Sequence, residues 1–273
     1  MQIQKAQQFG FLAANQKSNT ALSKILEKLS TGKQINRASD DAAGLAVAEQ
    51  LMTQVRGYQS ATTNVDYAQA AQYIAEGTGN EVNDMLQRQR ELAVQASNGT
   101  LTNDQRAMLN QEYQQINQEM TRISKSSQFN GQNVAAGNDL GAGNGTVLAA
   151  ANPGSNISIQ GANFTSENLG TASTDLSTPA NAANALKSVD NAMQNLSQQR
   201  TNIGANINRM DYAKAGNEAA TNNSQEAESR IRDLDYAQGV MEQTRQNLLN
   251  QTSLAAMKNF NQINGNNMLF LME

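Results

Sequence analysis

The sequence predicts a mainly α-helical fold, a long antiparallel helical bundle or coiled-coil rod with a small β-hairpin region inserted in the middle. Three observations predict it. Apolar residues recur at alternating steps of three and four in the first and last thirds of the chain. The 273 residues are poor in large side chains, since aromatic residues make up 4% and tryptophan is absent. The middle third is rich in glycine and nearly uncharged, which is typical of turns and short strands.

The clearest helical pattern lies in the last third. It predicts one helix over residues 180–232, which would be roughly 80 Å long at about 1.5 Å per residue. A rod of that length can bury its apolar stripe only against other helices. The stripe consists of Leu186, Val189, Met193, Leu196, Ile203, Ile207 and Met210, with Arg200 as an interruption.

The first third supplies the partners for that helix. We expect three helical pieces over residues 40–75, 80–97 and 103–127, packed with the long helix in a bundle. Each piece repeats the four-three spacing of apolar residues. These residues are Leu45, Ala48, Met52 and Val55 in the first piece, Val82, Met85, Leu92 and Ala96 in the second, and Leu109, Tyr113, Ile116, Met120 and Ile123 in the third.

Capping signals mark the ends of these pieces. Gly32 is suited to a left-handed C-cap, and Ser39 to an N-cap followed by the acids Asp40 and Asp41 at the positive end of the helix dipole. Thr102 and Gln105 form the pattern of a capping box. Thr178 precedes a proline at the first position of the long helix.

Residues 130–177 form a short, turn-rich β region, too small for a large independent domain. The dipeptides Asn130-Gly131 and Asn144-Gly145 are typical of hairpin turns. Residues 146–148 and 157–159 alternate in a way that predicts two short strands.

The two ends of the chain predict self-assembly. Each carries an amphipathic helix that has little to bury in a monomer, and isolated helices of this kind are marginal in water. They would gain order by packing with copies of themselves. The residues expected to build this assembly layer are Leu22, Ile25, Leu29, Leu248, Leu249 and Phe260.

Composition excludes several functions. The chain has no cysteine and no histidine, which removes thiol nucleophiles, thiolate metal sites and the commonest general base. A net charge of −4 without a long basic block argues against nucleic-acid binding. The longest purely apolar runs are far shorter than the roughly 20 residues of a membrane span. We therefore expect no enzyme, no cofactor, no metal and no membrane insertion.

The acidic pairs receive a structural interpretation. Asp40 and Asp41, like Asp233 and Asp235, resemble paired catalytic carboxylates, but no base, nucleophile or phosphate-binding loop lies near them. Helix capping accounts for them. Together with Ser39 we assign them to a joint between two layers of helices.

Five segments together identify a family. Residues 29–36 (LSTGKQIN) and 39–46 (SDDAAGLA), 80–95 (NEVNDMLQRQRELAVQ), 128–131 (QFNG) and 228–237 (ESRIRDLDYA) closely resemble the N- and C-terminal signatures of bacterial flagellins. The resemblance covers about 130 residues at the N-terminal side and 95 at the C-terminal side. The motifs are long and occur in the right order.

The resemblance implies a layered filament subunit. Residues 1–38 and 236–273 would form the inner filament layer, and residues 39–129 and 178–235 the helical rod layer around it. Many flagellins insert a large outer domain in the middle of the chain, and the shortness of residues 130–177 implies that this domain is reduced or absent here. The implied function is that of a structural subunit that polymerises into the extracellular propeller of motility.

The resemblance also implies partners. The chain would be exported by the flagellar type III system without a cleaved signal peptide, with an export chaperone, and would assemble beside cap and junction proteins. Arg88, Leu92 and Glu112 match positions by which flagellins of some bacteria engage the flagellin-sensing Toll-like receptor of animals. The same residues would pack and pair along the rod.

Two alternatives remain open. A hook–filament junction protein has the same layered helices but does not form long filaments alone. A secreted binding protein would act through residues 130–177 toward a surface polysaccharide or a host receptor. That function requires a defined pocket, and this stretch contains one aromatic residue, Phe164.

Overall fold

Long helices account for most of the chain, as the sequence predicts. The computed structural model describes residues 2–137, 145–152, 154–159 and 161–270, with side chains from residue 9 to residue 263. The chain divides into two units, Met1–Thr53 with Asn223–Glu273, and Gln54–Asn222. The described elements are α1 (Gln2–Thr31), α2 (Ala42–Ala96), α3 (Asn103–Ser126), β1 (Gln128–Phe129), β2 (Gln132–Asn133), β3 (Gly145–Leu148), β4 (Asn156–Ile159), α4 (Ser166–Leu169), α5 (Pro179–Arg232) and α6 (Tyr236–Phe270).

Within residues 54–222, α2 packs antiparallel to both α3 and α5. Thr78 and Ser127 share a hydrogen bond of 2.6 Å, whereas further along α2 the Gln89 amide donates to Asn117 at 2.8 Å. Against α5, the Arg90 guanidinium pairs with Asp190 at 2.8 Å. The stripe predicted on α5 is confirmed: Val189, Leu196, Ile203, Ile207 and Met210 are buried, and Leu186 and Met193 pack against the core.

The predicted break between residues 75 and 80 is wrong, because α2 continues through it. Two glycines, Gly77 and Gly79, weaken this turn by about 1 kcal/mol each relative to alanine. Tertiary packing overrides that preference. A Cβ on Gly79 would lie 3.3 Å from both Arg200 and Phe164, so the glycine lets its neighbours come close. The Thr78 hydroxyl also bonds to the carbonyl of Ile74 within the helix.

The caps at α3 and α5 form as predicted. Thr102 accepts a hydrogen bond from the Gln105 backbone, and the Gln105 side chain accepts one from the Thr102 backbone, which completes the capping box. At the start of α5 the Thr178 hydroxyl accepts from the backbone N–H of Asn181 at 3.1 Å. Both helices therefore begin where the sequence places them.

The turn at Asn130-Gly131 also forms as predicted. The two residues have φ values of 50° and 77°, the pair of positive angles that a type I′ hairpin turn requires. It joins β1 to β2 in an antiparallel pair with Phe129 opposite Gln132. Asparagine and glycine are the residues that tolerate these angles best.

The second hairpin confirms the two predicted strands. Val147 in β3 lies opposite Ile157 in β4. The connection between them is formed by residues 149–155, so Asn144-Gly145 is not its turn. Asn144 lies outside the described residues, and Gly145 begins β3.

The turn-rich region belongs to the same core as the helices around it. Phe164 and Leu176 are fully buried, and Leu169 is nearly so. Each such side chain contributes about 1.5–3 kcal/mol when it leaves water. Residues 130–177 therefore lie inside the unit Gln54–Asn222 and do not form a unit of their own.

We expect Thr102→Ala to lower the free energy of unfolding by about 1 kcal/mol, because α3 loses the side-chain half of its capping box. Urea denaturation followed by circular dichroism measures it. Thr201→Ala is the matched control, since Thr201 lies on the exposed face inside α5. Equal stability losses in both variants would contradict the assignment of Thr102 as the cap.

Candidate functional site

The terminal helices α1 and α6 pair antiparallel in the unit made of the two chain ends. The rings of Phe11 and Phe260 lie with their centroids 5.7 Å apart. About two turns further along α1, the Ser18 hydroxyl donates to the Gln246 side chain at 3.2 Å. Contacts between Leu29 and Gly239 follow near the other end of the pair. The two helices therefore contact each other over most of their described length.

This pair leaves most of its apolar surface in water. Gly239 is the one buried residue of α1 and α6 among those with described side chains. Of the six predicted assembly residues, Leu22, Ile25, Leu29 and Phe260 are half-buried, whereas Leu248 and Leu249 are 56% and 46% exposed. Further large apolar side chains stand exposed on the same helices. They are Phe9, Leu12, Leu26, Val240, Met241, Leu254 and Ile263.

The exposed surface is also nearly uncharged toward the end of the chain. From residue 246 to residue 263 the one charged side chain is Lys258. Many exposed large apolar side chains on one pair of helices indicate an interaction site. The pair of α1 and α6 is therefore the candidate functional site, and protein association is the chemistry it can perform.

Gly239 sets how closely the two helices approach. A Cβ at this position would lie 2.9 Å from a methyl group of Leu29 and 3.1 Å from one of Leu234. No real side chain fits there without a shift of its neighbours. Sequence analysis missed this residue, whose only signal is a glycine inside an otherwise helical segment.

Backbone pairing joins the segments that follow α1 and precede α6. The backbone N–H of Gln34 donates to the carbonyl of Arg232 at 2.7 Å, and that of Leu234 donates to the carbonyl of Gly32 at 2.9 Å. Lys33 and Asp233 form the antiparallel bridge between these bonds. Gly32 has a φ of +69°, the left-handed C-cap predicted for it.

The acids on the N-terminal side of this joint act as backbone acceptors. One oxygen of Asp40 accepts from the backbone N–H groups of Asn36 and Arg37 at 3.2 and 3.1 Å. These bonds, Arg37 first, lower the pKa of the Asp40 carboxyl. Asp41 accepts from the backbone N–H of Gly44 at 2.9 Å and is the N-cap of α2. This corrects the expectation for Ser39, because the chain turns at residues 38–40 and α2 starts too late for its hydroxyl to cap it.

The acids on the C-terminal side of the joint also accept hydrogen bonds. Asp235 is the N-cap of α6 and accepts from the backbone N–H groups of Ala237 and Gln238 at 3.0 and 3.2 Å. Asp233 accepts from the Ser229 hydroxyl at 2.6 Å. One acid of each pair therefore caps a helix as predicted, whereas Asp40 and Asp233 accept hydrogen bonds from the chain that precedes them.

The structure brings together two of the three positions matched to receptor contacts. The Arg88 guanidinium pairs with Glu112 at 2.7 Å and with Glu91 at 3.0 Å, and all three side chains are about half exposed. Leu92 is fully buried in the core. This corrects the expectation for Leu92, because the helix face that carries it packs inward and leaves no surface for a partner.

Among the residues that the structure describes, no three metal-ligating side chains come together. No helix within the described ranges is long and apolar enough to cross a membrane.

Both ends of the chain match models of one protein family. The sequence profile of the bacterial flagellin N-terminal helical region matches residues 5–140, and that of the C-terminal helical region matches residues 186–271. A flagellin of Halalkalibacterium halodurans is 39% identical over 245 residues, 88% of each chain. Flagellin FlaB2 of Treponema pallidum is 35% identical over 262 residues, 90% of each chain.

Solved structures share the fold. The crystal structure of Bacillus cereus flagellin superimposes with a TM-score of 0.51 at 23% identity, covering 57% of this chain and 88% of that one. A putative flagellar hook-associated protein from Vibrio parahaemolyticus gives a TM-score of 0.54 at 15% identity, covering 71% of this chain and all of that one.

We expect Asp40 to titrate below the ordinary aspartate pKa of 3.8, because two backbone N–H groups stabilise its charged form. The pKa is lower in the folded state than in the unfolded state. The stability that Asp40 contributes is therefore complete above the unfolded-state pKa and is lost as the pH falls through the folded-state value. Carboxyl ¹³C NMR of the subunit measures the midpoint, and Asp40→Asn identifies the resonance. A midpoint at or above 3.8 would contradict the assigned hydrogen bonds.

Proposed function

The chain belongs to the bacterial flagellin family, and we propose that the pair of α1 and α6 forms the inner layer of its filament, through which subunits polymerise. The protein is a structural subunit of the flagellar filament and lies outside the cell. The proposal concerns which surface makes the polymer. It assigns no catalytic activity.

Burial carries this proposal. The unit Gln54–Asn222 contains two clusters of fully buried apolar residues, whereas no leucine or phenylalanine with a described side chain is fully buried in α1 or α6. Removing such surface from water contributes roughly 25 cal/mol for each Å². In a homopolymer, neighbouring copies of the same helices can bury the exposed apolar side chains of α1 and α6. Polymerisation would therefore complete the packing of these two helices.

The joint supports the proposal as well. Its backbone bonds and its Gly32 cap fix where α1 stops, and Asp235 fixes where α6 starts. Both terminal helices would then enter the inner layer from defined points. Ser39, Asp40, Asp41, Asp233 and Asp235 would thus mark the joint between the layers, with Ser39 as a turn residue.

We also infer the partners that such a subunit needs. Export would occur through the flagellar type III system, and the absence of cysteine suits a chain that is threaded unfolded. The exposed apolar face of α6 is a surface that an export chaperone would cover before assembly. Cap and junction proteins would contact the ends of the polymer.

Two other functions give different outcomes in an assembly test. A hook–filament junction protein would share the helices but would not extend into long filaments alone. A secreted binding protein acting through residues 130–177 would remain soluble. The identity to flagellins over nearly 90% of both chains favours the filament subunit.

We expect the double variant Leu248→Asp, Leu249→Asp to fold but not to polymerise. Both leucines are exposed in the subunit, so folding tolerates the change, whereas two carboxylates buried between subunits would cost several kcal/mol. Electron microscopy and sedimentation after addition of precipitating salt and short filament seeds measure the outcome.

Met108→Asp is the matched control, because Met108 is 70% exposed on α3 and outside the terminal helices. It should form filaments like the unaltered chain. Filaments from the double variant would overturn the assignment of α6. Soluble subunits from the unaltered chain, under conditions that polymerise a reference flagellin, would favour the junction or binding protein.

Receptor recognition is a separate proposal and rests on the Arg88–Glu112 pair. We expect Arg88→Glu to weaken activation of reporter cells carrying the flagellin-sensing Toll-like receptor by about ten-fold, because it reverses the charge beside Glu91 and Glu112. Arg122→Glu is the control, since Arg122 is an exposed arginine paired with Glu119 on α3. Equal activation by both variants would contradict a receptor role for Arg88.

A further inference from the structure

We propose that a groove between α2 and the two hairpins binds a neutral oligosaccharide, a function additional to filament formation. This hairpin groove has a volume of about 420 Å³, within the range of roughly 300–1,000 Å³ found for ligand pockets. Residues of α2 form its floor, and the β1–β2 turn and β3 form its walls.

Among the described residues that line the hairpin groove, none carries a charged side chain, in a chain where 16% of residues are charged. A charged ligand would lose its hydration here without gaining an ion pair. The polar groups that replace charges are neutral amides and a hydroxyl, which both donate and accept hydrogen bonds as sugar hydroxyls do. They come from Asn64, Gln72, Asn130, Gln132 and Thr146.

Gln72 is a polar group without a partner at the floor of the groove. It is 5% exposed, and its side-chain oxygen has no hydrogen-bond donor among the described residues. A buried acceptor left unpaired is costly, and native proteins rarely tolerate one without a reason. This oxygen lies beneath the surface of the groove, so a ligand O–H or N–H would reach it after the Gln72 amide rotates toward the groove, and would then remove this cost.

Two aromatic rings lie at the groove beside these amides. Tyr67 on α2 is 61% exposed, and Phe129 in β1 packs partly against the core. A sugar ring has an apolar C–H face and a polar rim, so it matches an aromatic surface flanked by amides. Nearly half of the lining residues, six of thirteen, lie outside residues 130–177, and the sequence alone does not bring the two sets together.

An extended peptide fits the groove less well than a sugar. Strand addition depends on backbone groups along an open strand edge. Here β3 is four residues long, and all four are already paired with β4 on one side. Most of the polar groups that line the groove are side-chain amides, which favours a ligand with many hydroxyls over one recognised through its backbone.

A filament would carry many copies of the hairpin groove. Each subunit presents one hairpin groove, so a polymer carries the groove at a regular spacing. Binding of a long polysaccharide to several subunits raises the effective affinity without any new contact. A site that binds a single trisaccharide weakly can therefore hold a filament on a glycan surface.

The test is an NMR titration of the full-length subunit labelled with ¹⁵N. The probes are the neutral trisaccharides chitotriose and maltotriose, with trigalacturonate as an anionic comparison. We expect the neutral probes to shift the backbone amides of Gln132, Thr146 and Val147, and trigalacturonate to leave them in place. Tyr67→Ala should weaken binding by about ten-fold or more.

Two further variants separate binding from folding. Gln72→Leu keeps the volume of the side chain and removes its acceptor, and it should weaken binding as well. Tyr212→Ala is the matched control, because Tyr212 is 80% exposed and lies outside the groove. It should bind like the unaltered chain.

Three outcomes would overturn the proposal. The first is the absence of shifts with both neutral probes. The second is equal binding by the unaltered chain, Tyr67→Ala and Gln72→Leu, which would place the sugar elsewhere. The third is loss of filaments in Tyr67→Ala, which would make the groove a contact between subunits. Filament formation by the unaltered chain is scored separately, so failure of sugar binding leaves the assembly proposal intact.

Discussion

Alanines at the helix interfaces allow this chain to fold with few large side chains. Four alanines of α2 and three of α5 are almost completely buried in one cluster: Ala71, Ala75, Ala93, Ala96, Ala182, Ala185 and Ala192. Small side chains let helix backbones approach closely, so the larger residues between them reach across thin layers. Tyr113, Phe164 and Leu176 then fill the space that remains. The helical bundle and its hairpins depend on this close approach.

Local chemistry could be read from the sequence because neighbouring residues decide it. The capping box of Thr102 and the turn at Asn130 each involve a few consecutive residues, and both formed as predicted. The continuity of α2 through Gly79 could not be predicted, since Phe164 and Arg200 enforce it from far along the chain. The cap at Asp41 differs from Ser39 by two residues, the scale at which helix ends are decided by tertiary contacts.

The two candidate sites were predictable to different degrees. The sequence could predict the proposed assembly surface of α1 and α6, because both terminal helices are amphipathic and carry more large apolar residues than a single pair of helices can bury. Gly239 was missed because only the partner helix reveals how close it lies. The hairpin groove leaves no such pattern. Tyr67 and Gln72 lie about 60 residues from Phe129, and only the fold brings them to one surface.

The two units differ in how their stability depends on subunit concentration. Residues 54–222 carry their own core, so their folding equilibrium does not depend on how many copies are present. In the proposed filament, other copies cover the apolar side chains that α1 and α6 leave exposed, so the stability of these helices would rise with subunit concentration by mass action. Below the concentration that sustains the polymer, the chain ends would fray while the middle stays folded. The degree of order at the chain ends would thus depend on the subunit concentration.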